Sequence, residues 1–313
     1  MNAHVVTGGA GFIGSALVRA LLAAGEPRVT VIDNLLTGYE RNLTEVASRV
    51  DLLRVDIRDY SALRLAMEGA KYVYHLAAIP SVPRSIDEPV LSHQVNIDGT
   101  FSVFLAAKDA RVKRIVYAAS SSAYGDTDVL PKVETMLPQP KSPYALQKLV
   151  GEYYGSVFQD CFGIEAVALR FFNVYGPRQD PSSMYSGVIS KFMTALLKRE
   201  APTIFGDGNQ TRDFTYVEDV VELVRKAALV STPPRKVYNA GNGNCYSLKM
   251  VWDTLEKIEG TSIEPLLAPA RAGDVRDSQA DTQAAITDLG HAPKFSLEEG
   301  LRRTLDWYRS SGQ

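Results

Sequence analysis

Along the first half of the chain, short apolar runs rich in β-branched residues alternate with stretches whose apolar residues recur at helical spacing. Gly, Asp or Asn marks the junctions. The predicted strands are His4 to Thr7, Arg28 to Ile32, Leu52 to Val55, Tyr72 to His75, Ile115 to Ala118 and Ala166 to Arg170, with helices between them. Several lack the apolar–polar alternation of a half-exposed strand, which is the pattern of parallel strands covered on both faces. The rhythm predicts a doubly wound parallel α/β sheet over residues 1–172.

Beyond Phe172 the texture changes to a loop-rich NVYGPRQDPSSMYSG, a helical stretch from Val188 to Arg199 and the turn-rich FGDGNQTRDF. Helical period resumes from Glu218 to Val230, and KVYNAG is a strand candidate that returns to the main sheet. The expected organisation is a first domain at 1–172 with a return at 214–240, and a smaller α/β C-terminal substrate domain at 173–313.

With 313 residues, 45% hydrophobic and 22% charged, the chain suffices for one large domain or two smaller ones. Its 34 Lys and Arg against 36 Asp and Glu leave a formal charge of -2. That balance argues against nucleic acid or an anionic membrane as a main partner, so an anionic ligand has to meet local basic groups. Cys161 and Cys245 build no disulfide framework, and neither they nor the 4 histidines have metal-ligand spacing, so no metal is expected. The absence of a signal-peptide pattern in MNAHVVTGG, and of any apolar run of about 18 residues, leads us to expect a soluble cytoplasmic protein.

The first junction reads TGGAGFIG, with Gly8, Gly11 and Gly14 between a strand and a helix. Glycines there permit a tight turn and let backbone N–H groups approach a pyrophosphate, the Rossmann-type arrangement. The second strand ends at Asp33, where a carboxylate accepts both ribose hydroxyls of an adenosine and repels a 2′-phosphate. Asn34 follows, with no adjacent arginine to hold such a phosphate, so the expected cofactor is NAD rather than NADP. Asp56 in VDIRD ends another strand and can meet the adenine amino group, and HLAAIP leaves small residues beside the diphosphate. Its His75 reads as a core histidine rather than a ligand.

The chemistry concentrates in AASSSAYG and SPYALQK. Tyr144 and Lys148, four apart on a predicted helix, share a face. A free tyrosine, with a pKa of about 10, is too weakly acidic to serve as a base near neutrality, and a neighbouring ammonium favours its phenolate. Ser120, at a strand end, is placed to orient or relay the same proton.

Taken in this order, TGGAGFIG, ASSSAYG, SPYALQK, LRFFNVYGPRQ, TRDFTYVEDV and GDVRDSQAD resemble an extended short-chain dehydrogenase/reductase of the nucleotide-sugar epimerase family, over nearly the whole chain. SVPRSI, Ser81 to Ile86, makes the likeness strongest to the UDP-N-acetylglucosamine 4-epimerase group. The resemblance implies Ser120, Tyr144 and Lys148 as the catalytic set, with Ser122 as a substrate contact. It implies NAD contacts at Gly8, Gly11, Phe12, Ile13, Gly14, Asp33, Asn34, Leu35, Thr37, Gly38, Asp56, Ile57, Leu76, Ala77, Ala78, Tyr144, Lys148 and Phe171. For the UDP-sugar it implies Ser81, Ser122, Tyr144, Asn173, Val188, Thr203, Phe205, Arg212, Arg271, Asp274 and Ser278. Ser278 falls where glucose-specific epimerases carry a bulky tyrosine, which leaves space here for a 2-N-acetyl group.

The activity so implied is reversible NAD-dependent C4 epimerisation of UDP-N-acetylglucosamine and UDP-N-acetylgalactosamine through a 4-keto sugar. UDP-glucose and UDP-glucuronate stay open as substrates. A homodimer is implied through the helices Ser92 to Asp109 and Pro143 to Cys161. A nucleotide-sugar 4,6-dehydratase would carry an Asp-Glu pair just after the relay residue, where this chain has Ser121 and Ser122. A non-enzymatic NAD-binding scaffold on the same fold would have no reason to carry Ser120, Tyr144 and Lys148 together.

Overall fold

The computed structural model of the protein describes residues 3–181, 187–270 and 275–311. The chain begins with β1 (His4–Thr7), α1 (Phe12–Ala23), β2 (Val29–Ile32), β3 (Val50–Leu53), α2 (Tyr60–Ala66) and β4 (Tyr72–His75). The short helices α3 (Val82–Asp87) and α4 (Pro89–His93) lead to α5 (Thr100–Asp109), β5 (Arg114–Ser120), α6 (Pro143–Phe162) and β6 (Glu165–Phe171). The remainder comprises β7 (Asn173–Tyr175), α7 (Val188–Lys198), β8 (Thr203–Phe205), β9 (Thr211–Arg212), β10 (Phe214–Tyr216), α8 (Val217–Leu229) and β11 (Val237–Ala240). It ends with β12 (Tyr246–Ser247), α9 (Leu248–Glu259), β13 (Leu266–Ala268), α10 (Gln283–Leu289) and α11 (Leu297–Ser311).

Seven strands form one sheet in the order β11-β6-β5-β4-β1-β2-β3, with every neighbouring pair parallel. The strand order reverses between β1 and β4, so their carboxyl ends open a crevice at the switch point. Successive strand residues serve opposite faces. Val5, Val73 and Ile115 join Leu63, Val103 and Phe104 of α2 and α5 in one apolar cluster. Val6, Val116 and Leu169 join Leu17, Leu21, Val220 and Val224 of α1 and α8 in the other. With both faces of the central strands covered, apolar residues serve both sides, which explains the missing alternation.

β5 runs on to Ser120, two residues past the predicted Ala118, and two further elements differ from the pattern prediction. β3 stops at Leu53, where its carbonyl takes the Asp33 N–H at 3.1 Å, two residues short of Val55. The helix foreseen from Ser92 is interrupted by a π-helical turn, Gln94–Gly99. That wide turn carries Asn96, whose side chain receives the Ile79 N–H at 2.8 Å and donates to Gln147 at 2.8 Å.

α8 and β11 return to the main sheet late in the chain. Arg114, fully buried on β5, donates through Nη1 to the carbonyls of Ala227 (3.0 Å), Ala228 (2.9 Å) and Val230 (2.6 Å). It thereby satisfies orphan acceptors at the C-terminal end of α8 and places a cation against its dipole. The second unit consists of small strand pairs, β7 with β10, β8 with β13 and β9 with β12, under α7, α9 and α11. Its core, around Phe192, Trp252 and Leu301, is continuous with the α1–α8 cluster. Among the described residues no helix is long and apolar enough to cross a membrane. An exposed apolar stripe runs along α6 through Leu146, Tyr153 and Val157, with Phe101 of α5 also exposed.

α6, which carries the YxxxK residues, lies so close to β5 that a Cβ on Gly151 would collide with the ring of Tyr117. Gly151→Ala is expected to push the helix off the sheet at a cost of about 1–3 kcal/mol. Thermal unfolding checks this: a lower midpoint than the parent is expected, and an unchanged or higher one contradicts the close packing.

Candidate active site

β1 ends in the glycine turn. Gly8 is left-handed (φ 71), and a Cβ on Gly14 would strike the Gly8 carbonyl, so glycine is required for α1 to start this close to β1. The first turn of α1, with Phe12 and Ile13, has backbone N–H groups without partners inside the helix, a ready anion site. Across the switch point the Leu76 N–H is bonded to the Thr7 carbonyl at 3.2 Å and the Ala77 N–H to Thr7 Oγ1 at 3.3 Å, with Ala78 next. His75 is a core residue, its ring nitrogens engaged by Thr7 (2.8 Å) and Thr100 (3.0 Å). Burial pulls its pKa down to about 3.

Asp33, at the end of β2, is buried and accepts the N–H groups of Ala10 (2.9 Å) and Leu35 (2.8 Å). Burial raises its pKa, and the two N–H bonds oppose that rise. Two of about four lone-pair sites are thus used, which leaves acceptors for a ribose diol. The glycine cradle and this acid fit a dinucleotide. The loop continues through exposed Asn34 and Thr37 and buried Gly38. Asp56 is less free than the sequence suggests. Arg58 donates to it from N, Nε and Nη2 at 2.9, 2.8 and 2.8 Å, and Asn34 Nδ2 donates at 2.9 Å. Led by the Arg58 hydrogen bonds, these contacts hold its pKa at about 2. Its lone pairs are filled, so an adenine amino group has to displace one of these donors. Ile57 beside it is buried in the core.

Ser120 closes β5, and its Oγ accepts both the N–H and the O–H of Ser122, at 3.2 and 2.8 Å. It also shares a hydrogen bond with the Tyr144 phenol. With its two acceptor positions used by Ser122, Ser120 has its own hydrogen available to a neighbouring acceptor. Lys148, one turn along α6, is 4% exposed and donates from Nζ to the Ala118 carbonyl at 2.8 Å. The sequence expectation was that Lys148 would lower the Tyr144 pKa. Here burial dominates and pushes Tyr144 up to about 12, opposed by the Ser120 bond, while burial alone pulls Lys148 down to about 7. Ser81 caps α3 by accepting the Arg84 N–H at 3.1 Å, and Ser85 of that helix receives the Tyr144 N–H at 3.1 Å.

Past β6, where Phe171 is half-buried, a cavity of about 590 Å³ is lined by Asn173, Val188, Thr203, Phe205 and Arg212. Five residues scattered through the sequence thus meet in one place. Lys191 and Gln210 also line it and were not foreseen. Lys191 lies three residues beyond Val188 on α7, so helical spacing was the available signal. Arg212 Nη1 is held by the carbonyls of Thr211 (2.8 Å) and Arg276 (3.0 Å). Ser278 is buried next to this strand, its N–H bonded to the Thr211 carbonyl at 3.2 Å. Arg271 and Asp274 lie outside the described residues. Among the described residues no group of three His, Cys, Asp or Glu is placed to hold a metal ion.

A glycine turn at the switch point of a parallel sheet, Ser120 at the end of β5, Tyr144 and Lys148 on α6, and an added second unit are the features that the resemblance to an extended short-chain dehydrogenase/reductase implies. A sequence model of the NAD dependent epimerase/dehydratase family matches residues 4–241. A UDP-glucose 4-epimerase of Mycolicibacterium smegmatis is 36% identical over 313 residues, covering 99% of each chain. The solved structure of UDP-N-acetylglucosamine 4-epimerase from Methanobrevibacter ruminantium M1, in complex with UDP-N-acetylmuramic acid, superposes with a TM-score of 0.94 at 36% identity, covering 99% of both chains. UDP-glucuronic acid 4-epimerase from Bacillus cereus, with UDP-glucuronic acid and NAD, has a TM-score of 0.89 at 34% identity, covering 98% of this chain and 99% of that one. The chain belongs to the NAD-dependent epimerase/dehydratase family. It is an isomerase with NAD as its cofactor.

The Lys148 shift has a sign that can be tested without cofactor. Below about pH 7 the amine is charged both folded and unfolded and bears the whole burial penalty. Between about 7 and 10.5 the folded protein sheds the proton first, so stability rises with pH over that window. In the NAD-free protein, the stability gained by Lys148→Met over the parent is expected to be largest at and below pH 7 and to shrink toward pH 10. Denaturant unfolding at several pH values measures it, and a difference that stays flat from pH 7 to 10 contradicts the shift.

Proposed function

We propose that the protein interconverts UDP-N-acetylglucosamine and UDP-N-acetylgalactosamine at C4. The observation that carries the reading is the hydrogen-bonded pair Ser122–Ser120 at the end of β5 beside Tyr144, with Lys148 one turn further along α6. NAD, when bound, supplies the hydride acceptor and donor for the sugar C4. Tyr144 takes the proton of the 4-hydroxyl and later returns it. Ser120 stabilises the phenolate by donating its hydrogen, and Ser122 orients Ser120 while facing the sugar. Lys148 holds the nicotinamide ribose.

The nucleotide falls to the cavity beneath α7, where Arg212 and Lys191 offer cations to a diphosphate and Phe205 and Val188 offer apolar surface to the base. Arg271 and Asp274 are assigned to phosphate and uridine ribose on resemblance. Firm anchoring there leaves the sugar free to turn over between two hydrogen transfers. In this assignment residues 1–172 with 214–240 hold NAD and residues 173–313 hold the UDP-sugar. The preference for the acetylated sugar is supported by Ser278, a small side chain on a backbone fixed beside Arg212. Two copies associate through α5 and α6, where Phe101, Leu146, Tyr153 and Val157 are exposed. We place the enzyme in the cytoplasm.

Incubation with UDP-N-acetylglucosamine is expected to yield the 4-epimer, resolved by NMR, and Tyr144→Phe to lower kcat by about 10²–10⁴-fold. Ser278→Tyr is expected to abolish turnover of the acetylated sugar while retaining any on UDP-glucose, by steric exclusion. Absence of an epimer sinks the activity, and equal losses on both sugars sink the Ser278 gate. For the assembly, Val157→Glu is expected to shift the sedimentation coefficient from dimer to monomer. An unchanged dimer rules out the α5–α6 interface.

A further inference from the structure

The loop that carries Asp33 to Gly38 is tied on both sides. Toward the glycine turn, the Tyr39 N–H and Asn42 Nδ2 both donate to the Ala10 carbonyl, at 3.0 and 2.9 Å. Toward the second unit, the Tyr39 phenol donates to Asp180 Oδ2 at 2.6 Å, and Arg178 Nη2 donates to Glu45 Oε2 at 2.8 Å. These two contacts join segments 141 and 133 residues apart in sequence. The receiving loop is itself anchored. The Gln179 carbonyl accepts the phenol of Tyr308, and the Arg178 guanidinium lies 6.0 Å from the ring of Trp307, both on α11. Arg178 is held in the left-handed region (φ 71), unusual for a residue with a Cβ, and surrounding contacts have to maintain it. The next residue after Asp180, Pro181, lines the nucleotide cavity, so the join lies between the cofactor loop and the substrate site.

We propose that the Tyr39–Asp180 bond, backed by Glu45–Arg178, is a cofactor-retaining clasp: it fixes the Asp33–Gly38 loop over the adenosine half of NAD, and NAD leaves only after it opens. Tyr39–Asp180 carries most of the effect, because it is a short charge-assisted bond in a partly buried setting, whereas Glu45 is 67% exposed. The proposal rests on NAD as the cofactor. It gives the clasp a purpose under the proposed reaction, in which the hydrogen removed from C4 is returned and the cofactor has no need to exchange.

The test follows NAD release from the loaded protein, after removal of free cofactor and with no sugar present, by the NAD remaining bound over time. Tyr39→Phe, which keeps the ring, and Asp180→Ala, which removes the acceptor, are each expected to release NAD about tenfold faster, on the scale of one charge-assisted hydrogen bond. The double variant is expected to release it no faster than either single one, since both remove the same bond. Glu40→Gln, next to Tyr39 at the start of the 3-10 helical segment Glu40–Arg49 and bonded to Arg54, is expected to retain NAD like the parent. Equal release from the parent and Tyr39→Phe overturns the clasp. So does a Tyr39→Phe variant whose thermal midpoint falls as far without NAD as with it, because the bond is then a structural brace. Epimer formation enters none of these readouts, so failure of the clasp and failure of the epimerase reading are separable.

Discussion

Burying Tyr144 and Lys148 on one face of α6 constrains everything around them, because burial opposes the charged form of each. The phenol is pushed up to about 12 and the amine down to about 7. Neither is then at its most useful protonation state by itself. What makes the pair workable is the fixed polar surroundings. The Ala118 carbonyl accepts from the ammonium, and Ser120, its own acceptor positions occupied by Ser122, offers a hydrogen to the phenolate. These partners sit at the end of β5, and their distances to α6 depend on the close contact between Gly151 and Tyr117. Sheet packing and acid–base chemistry are therefore parts of one arrangement.

The parallel sheet supplies the second requirement, two ligands meeting at one point. The switch between β1 and β4 opens the crevice, and the glycine turn and Asp33 define its cofactor side. The second unit comes from residues after Phe172, and β11 and α8 return the chain to the sheet through β6 and Arg114. The return fixes the distance between the halves. Asp213 performs a similar service beside β9, its buried carboxylate accepting the N–H groups of Asn242 (2.8 Å), Gly243 (2.9 Å) and Ala280 (3.2 Å). The backbone bearing Ser278 is held in place from two directions, by the Thr211 carbonyl and by Asp213.

Much of this was legible in the sequence because it depends on local rules. The β–α rhythm, the glycine spacing, Asp33 at a strand end and the four-residue step from Tyr144 to Lys148 each follow from the geometry of one or two elements. Long-range relations were not legible. The saturation of Asp56 requires knowing that Asn34 and Arg58 converge on it. The sign of the Tyr144 shift requires knowing how deeply α6 is buried. Lys191 joins the cavity only because α7 turns that face toward β8, and the π-helical turn at Gln94–Gly99 has no signal in an otherwise regular helical period.

The central claim is that hydrogen leaves C4 of the sugar and comes back to the same carbon without reaching solvent. The most direct measurement is epimerisation of UDP-N-acetylglucosamine carrying deuterium at C4, in ordinary water, with the label followed by mass spectrometry and NMR. Complete retention of deuterium at C4 in the 4-epimer is predicted. Loss of the label to water during epimerisation would contradict the account.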